Sequence, residues 1–273
     1  MRFIIMGDFH YSLMGDSAAE LLQARDSFYE EMLEHFIRMD AEFHISIGDL
    51  THEGLPEEFD YVFNRIGNSE CNFIQVLGNH DAYTLPKAEI MGLTRQQRYH
   101  TIDSDEAMLI FLDTTKEMNR IDWGGELDVE QLEWLKVQLD KSGHKPVFIF
   151  AHHPVYGTTA HSTLEKMSID PTIDMLEVLK RKQGPGFYFC GHNHMNSIVQ
   201  KENWHFIQTA ACLDVPAFRR VELTDRGVQI DLVDVNNTEL AEHITIFNTG
   251  IPGFTPVSEA CGEEADQRLQ VIF

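Results

Sequence analysis

Five times along this chain a short apolar run ends in a cluster of side chains able to bind a metal ion. That recurrence constrains the fold more than any other feature. The runs cover residues 3–6, 43–47, 73–77, 147–150 and 187–190, each of strand length. The clusters that follow are Asp8-Phe9-His10, Gly48-Asp49, Gly78-Asn79-His80-Asp81, Ala151-His152-His153-Pro154 and Gly191-His192-Asn193-His194. In an open α/β sheet, ligands bind beyond the carboxyl ends of the strands, so clusters placed this way converge on one edge. Asp8 and Asp49 bring carboxylates, Asn79 an amide oxygen, and His10, His152, His192 and His194 imidazoles. Oxygen and nitrogen donors without thiolate suit two hard-to-borderline divalent cations: Mn, Fe, Zn, Co or Ni.

Helical patterns fall between the runs. Leu21, Leu22, Phe28, Met32, Leu33, Phe36 and Ile37 recur at helical spacing after a cap at Asp16 or Ser17. A second helix starts near Pro56 and carries Phe59, Val62, Phe63 and Ile66 on one face. Asp128 and Gln131 form a capping pair that opens a third, with Leu132, Leu135 and Leu139 inward. A fourth is expected from Asp170-Pro171 to Gly184-Pro185. Residues 204–209, 219–223 and 228–233 read as consecutive strands. Burying all these faces calls for an α/β fold, a four-layer α-β-β-α sandwich of two packed mixed sheets with the dimetal site at the strands' carboxyl ends. Residues 1–235 carry the pattern. Residues 236–273, punctuated by Gly250, Pro252, Gly253, Pro256 and Gly262, read as a peripheral extension. Asn236-Asn237-Thr238 matches a glycosylation acceptor and is read as a loop.

A formal charge of −23 opposes binding to duplex nucleic acid or an anionic membrane, both of which need clustered Lys and Arg. It does not oppose a phosphate substrate, because two divalent cations outweigh the charges of Asp8 and Asp49 and leave a positive centre. No apolar run approaches the ~20 residues that span a bilayer, and the start shows no signal-peptide pattern. Cys71, Cys190, Cys212 and Cys261 are widely spaced, which fits a reducing compartment. The expected location is cytoplasmic.

In order and spacing the clusters resemble the signature of the calcineurin-like metallophosphoesterases, D-x-H, G-D, G-N-H-[DE], H and G-H-x-H, over about residues 1–235. Within that superfamily the compact size, the G-N-H-D form and the H-H-P element look most similar to the bacterial class III cyclic-nucleotide and glycerophosphodiester phosphodiesterases. The resemblance implies that Asp8, His10 and His194 hold one metal, that Asn79, His152 and His192 hold the other, and that Asp49 bridges them. It also implies that His80 contacts phosphate and protonates the departing oxygen, with Asp81 orienting His80 and raising its pKa. Since the clusters hold no nucleophilic Ser or Cys, attack by a hydroxide bridging the metals is expected.

The expected activity is hydrolysis of a small soluble phosphodiester. The alternatives are a phosphomonoesterase or nucleotide pyrophosphatase of the same superfamily, a nuclease, and a scaffold without metals. Protein serine/threonine phosphatases of this superfamily carry G-D-x-x-D-R-G, whereas this chain reads Gly48-Asp49-Leu50-Thr51-His52-Glu53-Gly54, without the arginine. Specificity is assigned to the loops 11–16, 52–56, 85–94 and 156–170. His52, His153 and His161 are left open as pocket residues, and Cys190 is read as a small buried residue.

Overall fold

The computed structural model describes residues 1–15, 17–235 and 238–273. The chain opens with β1 (Arg2–Met6), α1 (Ala19–Arg38), β2 (Phe43–Ser46), α2 (Pro56–Gly67), β3 (Phe73–Gln75) and α3 (Lys87–Thr94). It continues through β4 (His100–Asp103), β5 (Met108–Phe111), α4 (Val129–Ser142), β6 (Val147–Phe150), α5 (Met175–Leu179) and β7 (Gly186–Cys190). The last part holds β8 (Ser197–Lys201), β9 (Trp204–Gln208), β10 (Ala217–Thr224), β11 (Gly227–Asp234), α6 (Thr238–Phe247) and β12 (Arg268–Ile272). One sheet runs β12-β11-β10-β1-β2-β3 and the other β4-β5-β6-β7-β9-β8. Each mixes parallel and antiparallel pairs.

Side chains alternate across a strand, and that alternation builds the layers. In β1, Phe3 and Ile5 face the space between the sheets, while Ile4 and Met6 pack with Phe28, Met32 and Phe36 of α1. In β6, Phe148 and Phe150 fill the same inter-sheet space, and Val147 and Ile149 face Leu135 and Leu139 of α4. The result is the expected four-layer sandwich. Phe150 stacks between Phe111 and Phe189 on the flanking strands, at 5.0 and 5.4 Å between ring centroids. Such cross-strand aromatic contacts hold strand register. With register held, the strand ends, and the donors on them, are fixed in space.

Several expectations give way. Ser17 does not cap α1: the residue preceding the helix is Ala18, without a side-chain cap, and the Ser17 hydroxyl donates to Met14 O. Asp16, the other expected cap, lies outside the described residues, as do Asn236 and Asn237 of the acceptor-like stretch. The expected helix from Asp170 is only α5. Asp170 instead binds Thr172 N through its side chain at 2.8 Å, an Asx turn, and Asp174 caps the helix by accepting from Glu177 N. The 85–94 loop contains α3, whose Ile90 and Thr94 are buried. The tail is not peripheral: β12 extends the first sheet beside β11, and Phe247, Ile251 and Phe254 are buried in the core around α1.

Candidate metal centre

β1, β2 and β3 end in Asp8 and His10, in Asp49, and in Asn79 and His80, all from one sheet. β6 and β7 end in His152 and in His192 and His194, from the other. The candidate centre therefore forms where the carboxyl ends of the two sheets meet. His10, Asp49, His192 and His194 turn the chain sharply, at left-handed φ of 50°, 48°, 69° and 52°. That region costs an L-residue about 1–2 kcal/mol, and Asp and His are among the residue types enriched there. The glycines of the motifs permit close approach. A Cβ on Gly78 would stand 2.2 Å from Asp49 Oδ1, and one on Gly191 2.3 Å from Asp8 Oδ2.

Two donor pockets result. In the first, the donor atoms of Asp8, His10, Asp49 and His194 lie within 4.8 Å of one another. His52 Nε2 donates to Pro252 O at 2.6 Å, so its Nδ1 is free to accept from His10 Nδ1 at 3.4 Å. His194 Nδ1 faces Asp214 Oδ2 at 3.5 Å. His10 thus turns an unprotonated Nε2 inward, 3.0 Å from Nε2 of His194. A cation between the two nitrogens would take both lone pairs once His194 has given up its proton.

In the second pocket, His152 Nε2 lies 3.0 Å from Asn79 Oδ1 and 3.1 Å from His192 Nδ1. His152 Nδ1 donates to Ile47 O and His192 Nε2 to Lys166 O, at 3.1 and 2.9 Å. Asn79 Nδ2 donates to Tyr83 Oη at 2.8 Å, which turns its oxygen inward. Asp49 spans the pockets: Oδ2 is 3.3 Å from His152 Nε2 and 3.7 Å from His10 Nε2. Its Oδ1 accepts from His80 N at 2.8 Å.

Burial pushes the His10 and His192 imidazoles down, the latter to about 3, so both are neutral and ready to coordinate. Burial acts the same way on His152, but the carboxylates of Asp49 and Asp8 override it and lift that ring to about 9. Asp49 is held well below the carboxylate range: burial would raise it, but the facing imidazoles of His152 and His80 prevail. Without metal, a proton occupies the His152–Asp49 pair, and a cation entering must displace it.

The structure reassigns several neighbours. Asp81 does not orient His80. Its carboxylate accepts from Thr51 N, Thr51 Oγ1 and Gly78 N at 2.7–3.0 Å, tying two donor loops together. Burial and the charge of Asp49 raise its own pKa to about 6. His80 is oriented by His52 O, which accepts from its Nδ1 at 2.6 Å, and burial lowers its pKa, contrary to the expected rise. His153 is enclosed, with Nδ1 on Thr114 Oγ1 and Nε2 on Trp123 O, both at 2.8 Å, so neither nitrogen is free. His52 lies behind His10, whereas the exposed His161 lines the cavity over the centre. Cys190 is a buried free thiol, as expected.

That cavity, about 480 Å³, is walled by Asp49, Asn79, His80, His192 and His194 below and by Tyr83, Arg120, Trp123, Thr255 and Val257 around the mouth. The Phe254 ring covers the first pocket, 5.6 Å from the His10 ring and 5.4 Å from the His194 ring. Asp214, Arg120 and Phe254 carry no motif and escaped the sequence reading. His52 offered one cue, its position three residues after Asp49. Among the described residues no helix is long and apolar enough to cross a membrane.

The family described as Calcineurin-like phosphoesterase matches residues 1–196. The glycerophosphodiester phosphodiesterase GpdQ of Enterobacter lignolyticus is 26% identical over 159 residues, 56% of this chain and 56% of that protein. The chain thus spans little more than half the length of that relative. The 3′,5′-cyclic-nucleotide phosphodiesterase of Nostoc sp. is 21% identical over 196 residues, 71% of this chain and 70% of that protein. A dimetal phosphatase from Danio rerio superposes with a TM-score of 0.71 at 15% identity, covering 86% of this chain and 96% of that one. At that identity the superposition speaks for the fold.

Proposed function

This chain belongs to the calcineurin-like phosphoesterase family, and from that premise we propose that it is a metal-dependent phosphoric ester hydrolase acting on a small phosphodiester. The observation that carries the reading is the pair of donor pockets on either side of the Asp49 carboxylate. Asp8, His10 and His194 would hold one divalent cation and Asn79, His152 and His192 a second, with Asp49 contributing to both. When bound, two such cations supply Lewis acidity toward the phosphoryl oxygens and lower the pKa of water.

The protein's own part is to place the phosphate. His80 lines the cavity, and because Nδ1 donates to His52 O, its Nε2 carries a proton only as the imidazolium. A phosphate anion beside it favours that form, in which Nε2 donates to a phosphoryl or departing oxygen. Tyr83 keeps the Asn79 amide turned inward, and Phe254 packs over the buried His10 ring.

The choice of a diester draws on the names of the relatives and on the arginine missing beside Glu53. A specific observation favours a second reading, a monoester or pyrophosphate substrate: Arg120, distant in sequence, reaches Glu53 and restores a guanidinium to the cavity mouth. The deciding measurement is kcat/KM for bis(4-nitrophenyl) phosphate against 4-nitrophenyl phosphate, with the metal held constant. We expect the diester to be preferred. A monoester preference above about tenfold, ~1.4 kcal/mol in transition-state binding, removes the diesterase reading.

A further inference from the structure

Arg120 is the single Lys or Arg among the described residues lining the cavity, and the structure holds it in a definite pose. Its Nη2 pairs with Glu53 Oε2 at 2.6 Å and donates to Thr84 Oγ1 at 3.1 Å. The guanidinium carbon lies 4.9 Å from the centre of the Tyr83 ring. Among the described residues the guanidinium's one hydrogen bond is from Nη2, and the side chain is about half exposed (49%). A guanidinium tethered through one nitrogen, resting on an aromatic face and presenting its other donors to a cavity, is built to receive an oxyanion.

Position decides which oxyanion. Tyr83 separates Arg120 from the centre: its ring is 4.6 Å from that of His80, and its hydroxyl accepts from Asn79. Arg120 therefore stands one aromatic ring away from the groups that face the reacting phosphate, at the distance of a substituent rather than of the phosphate itself. We propose that Arg120 binds a second oxyanion of the substrate, a phosphate or carboxylate a few bonds beyond the phosphorus under attack. The natural substrate class is then a phosphoester that carries another anionic group. An ester with an uncharged or cationic arm leaves Arg120 idle. The inference rests on the phosphoester-hydrolase reading of the centre, and not on the preference for diesters over monoesters.

Three competitive inhibitors test it: methylphosphonate with one oxyanion, phosphonoacetate with an added carboxylate, and methylenediphosphonate with an added phosphonate. Inhibition is measured on the metal-loaded enzyme, against whichever nitrophenyl ester it hydrolyses, so failure of the diester preference leaves this test intact. Wild type is expected to bind at least one two-oxyanion probe about tenfold more tightly than methylphosphonate, the value of one charge-assisted contact. Arg120→Ala should lower that ratio about tenfold, and Arg120→Lys should keep part of it. Which probe gains tells carboxylate from phosphate. Chelation of the metals by the probes is the same in wild type and variant, so the change in ratio isolates Arg120. Thermal unfolding verifies that the variants fold. An unchanged ratio in Arg120→Ala overturns the proposal, and so does an equal loss for all three probes, which would mean that Arg120 grips the reacting phosphate instead.

Discussion

The two donor pockets differ in what aims their imidazoles. In the second, His152 and His192 donate to the backbone carbonyls of Ile47 and Lys166. In the first, His10 and His194 lean on side chains, His52 and Asp214, and both of these are tied to the late chain, through Pro252 O and Val257 N. Partners of this kind fix the tautomer and strengthen a ligand. A carbonyl partner is part of the fold itself and survives any substitution that leaves the fold standing. A side-chain partner can be deleted or tuned. The second pocket is thus aimed by the fold itself, and the first is adjustable through the side chains set behind its imidazoles.

The sharpest way to break this comparison is at the shared residue. Asp49→Asn should abolish turnover and lower the metal content of both pockets together, read by elemental analysis, because its carboxylate faces both. Loss from one pocket alone would show that the carboxylate is not shared. Next comes His52→Ala, which should weaken metal binding in the first pocket by about 10–100-fold and leave the second within a few-fold. Stepwise metal titration monitored by anomalous scattering separates the two. An equal loss in both pockets would erase the distinction.

The smallest effect per step is the pH dependence. Below about pH 9 the metal-free centre holds a proton on His152, and a cation must displace it. Apparent affinity at the second pocket should therefore rise as pH increases, about tenfold per unit, and level off above about 9. His194, whose carboxylate neighbours Asp214 and Asp8 outweigh burial and raise its pKa, gives the first pocket a slope of the same sign. Calorimetry in buffers of different ionisation enthalpy counts the released proton, and a flat profile would remove the protonated His152–Asp49 pair.

The sequence was readable where structure is local. A strand ending in a donor is a contiguous signal, and the five clusters meet as that pattern implies. What aims the donors is not contiguous. His10 and His52 meet because β1 and β2 are paired, and Pro252 arrives two hundred residues after His52. Asp81 shows the limit from the other side: adjacency to His80 suggested a partner, but a buried carboxylate takes the nearest unpaired backbone N–H groups instead. The tail misled because Gly and Pro mask its contacts, although the alternation of Leu269 and Val271 with exposed Arg268, Gln270 and Ile272 was a legible edge-strand cue. Nothing around Arg120 announces its place, since the Asn119 turn that precedes Ile121 and Asp122 reads as an ordinary polar loop.

The left-handed backbone at His10, Asp49, His192 and His194 has a consequence for descent. Glycine accepts such turns freely, and at each of these positions it would relieve about 1 kcal/mol of strain while deleting a donor. A gene copy released from hydrolysis would thus recover backbone strain with each donor it lost, set against the buried contacts that Asp49 and His192 give up. Four turns of this kind, gathered at one edge of the sheets, mark where side-chain identity holds the backbone in a shape it would otherwise leave.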